Sequence, residues 1–218
     1  MSPINPGLRA RTSCNGFYIG VDLGQKRDYT AIATVERLAC VGLDRDRLTY
    51  QFPMFTRYHV RRIDRPPLGT SYMDIVDLIE RHIQAAIPQF THFSPRLVVD
   101  ATGVGAPVVD LIQSRRFPCR LTPVTITAGD KEQSTKSGYY NVPKRNLVSG
   151  LQLIVEQGNL KASAAIPEAP VLVHEILNMR TKISAGAHES FEAWREGDHD
   201  DLVLAVALAC WRAAKNWE

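Results

Sequence analysis

The sequence predicts an α/β domain built on one mixed, five-stranded sheet, an antiparallel meander followed by parallel strands, with helices on its flanks. Three observations point there. Residues 17–22, 29–35 and 48–60 are β-prone runs separated by short breaks, the pattern of a three-strand meander. From residue 70 onward, helical periodicity alternates with apolar strand-like runs, as crossover connections require. And RLVVD at 96–100 is continuously apolar up to its acid, as expected of a strand covered on both faces. A length of 218 residues suits a single domain with a proper core, and 44% hydrophobic with 22% charged residues is a globular composition.

The elements follow in order. Residues 1–15, with two prolines and two arginines, read as a flexible N-terminal tail rather than a signal peptide, leaving 16–218 as the domain. The first strand, FYIGVD, ends on Asp22; Asp28 then falls in a hairpin turn before YTAIATV. Thr70 can cap a helix whose apolar positions Tyr72, Ile75, Val76, Ile79 and Ile83 keep helical spacing. The strand at 96–100 ends on Asp100, and Gly103 and Gly105 permit a tight turn into a helix over 106–115, with Pro107 in its first turn. LTPVTIT at 121–127 is the fifth strand, and the polar stretch 128–141 reads as a mobile loop. Helices are expected over 142–156 and 168–180, a β-hairpin over 181–194, and a closing helix over 200–214. That last helix is apolar all round and must be buried, with Ala205, Ala207 and Ala209 allowing close approach to the sheet.

Some classes are excluded. No apolar run approaches the 18–20 residues of a membrane span, so no membrane partner is expected. The four cysteines form no C-x-x-C pair, which argues against disulfides and zinc and for a reducing cytoplasm. The net charge of +3 is mild, but cations gather in 57–65 and in 115–145, and such stretches suit a polyanion as well as a solvated surface. Lys144 and Arg145, near a helix start, are candidate phosphate holders, together with Lys131 and Lys136 in the preceding loop.

The acids carry the chemistry. GDHDD sets Asp198, Asp200 and Asp201 in front of the apolar closing helix, where a single Asp would suffice as a cap. If the strands ending on Asp22 and Asp100 are parallel neighbours, both carboxylates stand at the carboxyl edge of the sheet, where α/β sites form. The closing helix then delivers Asp200 and Asp201 beside them. Two like charges about 4 Å apart repel by roughly 4 kcal/mol at an effective dielectric of 20, whereas a cap returns about 1 kcal/mol. Such a crowd requires raised pKa values or cations, and an all-oxygen set selects Mg²⁺ or Mn²⁺.

YIGVDLGQKRDYTAIATVE, LVVDATGVGAPVVDLI and GDHDDLVLAVALACW resemble, in order, the three acidic motifs of the nuclease domain of viral (phage-type) large terminase subunits. RPPLGTSYMDIVDLIERHI and NVPKRNLVSGLQLIVEQGNLK resemble its connecting segments, so the likeness spans about residues 17–214. That domain belongs to the ribonuclease H-like superfamily, with the Holliday-junction resolvases. The resemblance implies a two-metal endonuclease acting on double-stranded DNA in the cytoplasm, with two Mg²⁺ or Mn²⁺ ions. It implies Asp22, Asp100 and Asp201 as catalytic metal ligands, Asp22 bridging both ions, and Asp200 or Asp198 assisting the second.

One departure from the terminases stands out. No G-x-x-x-x-G-K-[ST] loop is present, and GDKEQSTKSG lacks its core, so packaging would need a separate ATPase motor or portal component. The resemblance is thus to a separated domain or a stand-alone relative. Competing readings are a branched-DNA resolvase, separable by substrate, and a non-catalytic DNA-binding assembly module, against which retention of all the acids argues. GVDLG also resembles the phosphate loop of actin-like and sugar-kinase ATPases, but there is no room for their second lobe. His199 reads equally as a water or phosphate contact and as a hydrogen-bonded helix-start residue, and Trp194, Trp211 and Trp217 read as packing.

Overall fold

In a computed structural model of the protein, the described residues are 9–24, 28–87, 94–103, 105–135, 138–185 and 200–215, with side chains of 180–185 left aside. The chain runs β1 (Ala10–Asp22), β2 (Ala31–Gly42), β3 (Met54–Asp64), α1 (Tyr72–Ala86), β4 (Arg96–Asp100), α2 (Gly105–Arg115) and β5 (Arg120–Thr127). It continues with β6 (Gln133–Ser134), β7 (Tyr140–Pro143), α3 (Lys144–Glu156), β8 (Leu160–Ala162), α4 (Ala169–Ala185) and α5 (Asp201–Ala214). The strands form one mixed sheet in the order β6-β7-β5-β4-β1-β2-β3-β8. β1, β2 and β3 are the antiparallel meander, and β4 joins β1 in parallel, followed by parallel β5.

The five anticipated strands are the middle of this sheet, and three short ones widen it to eight. β6 arises within the stretch expected to be a mobile loop, and β7 spans its end and the first two residues of the expected 142–156 helix, the two forming an antiparallel pair on the edge of β5. β8 lies beside β3 over three residues. Strands of two to four residues carry almost no periodicity, and it is the neighbouring edge that recruits them. β1 starts at Ala10, inside the expected tail, because residues 10–14 pair with the far end of β2. Residues 181–185 belong to α4 rather than to a hairpin; the rest of the expected hairpin lies outside the described residues.

Each face of the sheet has its own core. Ile19 and Val21 of β1, with Leu97 and Val99 of β4, pack against α1 and α2 through Ile75, Ile79, Val108 and Ile112. Tyr18 and Val98 point the other way, toward α3, α4 and α5. The two-residue alternation of a pleated strand thus splits one apolar run between two cores. α5 is buried from Asp201 to Ala213, as its lack of a polar face demands. Gly20 sets how close it comes: a Cβ there would sit 1.9 Å from the Ala205 carbonyl oxygen and 2.9 Å from the Ala209 nitrogen. Backbone therefore packs on backbone where β1 crosses α5, with alanines on the helix side.

α1 starts one residue later than the Thr70 cap anticipated. Ser71 Oγ accepts from Asp74 N, while the Thr70 hydroxyl donates to the Pro67 carbonyl. On its inner face His82, buried and with its pKa lowered by desolvation, is hydrogen-bonded through Nε2 to Asp64 and through Nδ1 to the Thr34 hydroxyl, both at 2.7 Å. No helix among the described residues is long and apolar enough to cross a membrane.

Candidate functional site

The site is assembled from strand register. β1 and β4 are parallel with Val21 opposite Val99, so the next residues, Asp22 and Asp100, stand side by side at the carboxyl edge. Both are buried, at 8% and 9% exposure, and the charge of Asp100 acts on Asp22. Asp100 is held by the turn that follows it: its Oδ1 accepts from the Thr102 amide at 2.8 Å and from the Thr102 hydroxyl at 2.5 Å. Thr102 Oγ1 accepts in turn from Ile126 N, tying the turn to β5. Gly103 is left-handed (φ 64°) there, and a Cβ on Gly105 would stand 2.3 Å from the Asp100 carbonyl oxygen. The anticipated tight turn thus brings α2 directly onto the end of β4.

α5 approaches the same edge with its N-terminus. Burial, then the charges of Asp100, Asp201 and Asp200, drive the Asp22 carboxyl well above the usual carboxylate range, against a downward pull from Lys144. Burial also raises Asp100, opposed by its hydrogen bonds from Thr102. Two cations are drawn in. Lys144, the first residue of α3, pairs with Asp200 at 2.8 Å, and Arg65, just past β3, pairs with Asp201 at 2.8 Å. Among the described residues, no three ligating side chains converge tightly enough to hold a metal as they stand. Asp200 and Asp201 are instead engaged with these cations. The donor chemistry nevertheless fits a hard divalent ion, since every ligand in reach is a carboxylate oxygen.

Asp22, Asp100, Asp200 and Asp201 thus share one edge. Asp198, His199 and Lys136 lie outside the described residues, as do Trp194 and Trp217. Asp28 is exposed between β1 and β2, and Lys131 is exposed ahead of β6. Arg145 is engaged by Asp130, through the carboxylate at 2.7 Å and the carbonyl at 3.2 Å. Trp211 is packing, edge-on to Tyr140 at 5.6 Å, with its indole N–H donated to Glu132. The sequence reading missed Glu175 and saw Arg65 only as part of a basic run. Glu175 had a signal: it falls on the stripe of Leu172, Ile176 and Met179, where an acid is out of place.

Neither a protein-family model nor a curated protein matches the sequence. Among solved structures, the human cytomegalovirus terminase nuclease domain, soaked with manganese, aligns with a TM-score of 0.50 at 13% identity, covering 90% of this chain and 81% of that one. The fold is ribonuclease H-like. A second structure of the same viral domain gives a TM-score of 0.47 at 14% identity, over 93% of this chain and 88% of that one. The ribonuclease H-like frame agrees with the meander, the parallel β1–β4 pair and the carboxylates at its edge.

Proposed function

We propose that the protein is a divalent-metal-dependent endonuclease that hydrolyses phosphodiester bonds of double-stranded DNA in the cytoplasm. The observation that carries this reading is the convergence of Asp22, Asp100, Asp200 and Asp201, from three separate elements, on one partly dry sheet edge. Lys144 and Arg65 offset part of that crowding at Asp200 and Asp201, yet Asp22 and Asp100 are left with raised carboxyls that a helix cap does not explain. The likeness to a domain soaked with manganese supports the same reading.

In this mechanism Asp22, Asp100 and Asp201 would hold Mg²⁺ or Mn²⁺, with Asp200 or Asp198 assisting. A divalent cation held there would supply the Lewis-acid chemistry of phosphodiester hydrolysis, activating water and stabilising the leaving oxygen. The protein's own groups do the rest. Burial raises both the Asp22 and Asp100 carboxyls, with the charge of Asp100 adding to the rise at Asp22, and a metal held there would require them deprotonated. Thr102 fixes the Asp100 carboxylate by two hydrogen bonds, so that oxygen cannot swing away. On this reading Lys144, Arg145, Lys131 and Lys136 meet the phosphate charge, Lys144 and Arg145 exchanging their present partners Asp200 and Asp130 for it. A separate ATPase or portal component would drive any DNA translocation.

The test is cleavage of supercoiled plasmid with Mg²⁺ or Mn²⁺. Nicking and linearisation are expected, and Asp22→Asn, Asp100→Asn and Asp201→Asn are each expected to reduce them to background. Folded wild-type protein that leaves plasmid intact in both metals contradicts the reading, while cleavage confined to four-way junctions redirects it to a resolvase.

A further inference from the structure

Asp200 holds the N-cap position of α5, yet its side chain caps nothing and is paired with Lys144 instead. Asp201, next in line, is paired with Arg65. The buried amides of the helix start are taken by a residue from another helix. Glu175 of α4 places Oε2 3.1 Å from both Leu202 N and Val203 N and accepts from each. This is an expensive way to cap a helix. The Glu175 side chain is 4% exposed, its Oε1 has no hydrogen-bond partner, and Arg65 stands 4.0 Å from that oxygen. A Ser or Asn at position 200 would satisfy the same amides without a buried charge.

Arg65 completes the arrangement. Its guanidinium lies over the Tyr29 ring at 4.2 Å, and one arm is donated to Asp201 while another faces Glu175. A planar fork held against an aromatic face fixes the direction of the carboxylate it grips, which a flexible ammonium would not do. We propose that Glu175 and Arg65 are positioning residues for the metal site. Glu175 takes over the capping of α5 so that Asp200 and Asp201 are left for the sheet edge, and Arg65 sets the orientation of Asp201. The inference rests on the metal reading above and adds to it the outer residues on which cation affinity depends.

Two measurements on the full chain test it. Mn²⁺ affinity, read by electron paramagnetic resonance of the free ion without DNA, is expected to fall about tenfold in Arg65→Lys. That variant keeps the charge and loses the fork, so unchanged affinity overturns the orienting role and leaves Arg65 a counter-charge. Amide exchange at Leu202 and Val203 in metal-free protein should speed up at least about tenfold in Glu175→Leu. It should be largely restored in Glu175→Gln, which keeps an acceptor, and unchanged in Asp200→Ala. Faster exchange in Asp200→Ala with none in Glu175→Leu overturns the capping assignment. Wild-type protein that binds no Mn²⁺ sinks the metal reading and the positioning role together, whereas binding that is equal in wild type and Arg65→Lys sinks the positioning role alone.

Discussion

Asp22 is buried at the end of a central strand with three other aspartates acting on it, and its carboxyl is held well above the usual range. A carboxyl raised on folding binds a proton that the unfolded chain has released, so the folded state loses stability as pH rises through that window. Asp22→Asn removes the conflict. It is expected to stabilise the metal-free protein at neutral pH by on the order of 1 kcal/mol, read by urea denaturation, while ending plasmid cleavage. Glu175 gives a bounded case. Burial raises it to about 7, against the Val203 amide and Arg65, with Asp201 and Asp200 pushing it up further. Between its ordinary 4.5 and about 7, metal-free wild type should lose stability relative to Glu175→Gln, and the gap should level off above that. The comparison needs the variant because His82, lowered by burial, contributes the opposite slope below its ordinary 6.5. Melting temperatures of both proteins from pH 4.5 to 8 check it; parallel profiles would contradict the assignment.

Among the elements, those that build the site were the most legible. β1 and β4 are apolar runs that end on acids, and α5 is apolar all round, so each announces both its type and its depth. What the sequence hides is contact. Nothing local marks Gly20 as the point where α5 touches β1, yet a methyl group there would overlap the Ala205 carbonyl. Gly20→Ala should therefore cost about 3 kcal/mol or more in urea unfolding, an overpacking penalty with no side chain free to yield. Caps are hidden in a different way. Thr70 and Ser71 are adjacent and chemically alike, and the choice falls on Ser71 because Thr70 is already committed to the Pro67 carbonyl. Ser71→Ala should cost about 1 kcal/mol and Thr70→Val less, measured in the same way. β6, β7 and β8 were not legible because pairing with an existing edge, not composition, makes them strands.

Taken as one body, the molecule gathers into a single edge residues that are far apart in the chain. The aspartates could be read in advance because each sits next to a strong local signal. Arg65 and Glu175 could not be assigned, because their roles exist only across the gap between β3, α4 and α5. If the edge binds cations, the whole fold gains from them. Mn²⁺ at 100 times its dissociation constant should add about 2.7 kcal/mol of stability. That gain should show as a melting temperature that climbs with metal in wild type and stays flat in Asp22→Asn. The docking of α5 across β1 also bears on how such a protein is made. Asp100 precedes Asp201 by 101 residues in the chain, a delay of about 5–20 s at the pace of ribosomal synthesis. Through that interval a nascent chain carries the Asp22 and Asp100 half of the edge without its helix partner. The edge is complete only once the helix seats against Gly20, so on the proposed reading competence waits for that late contact.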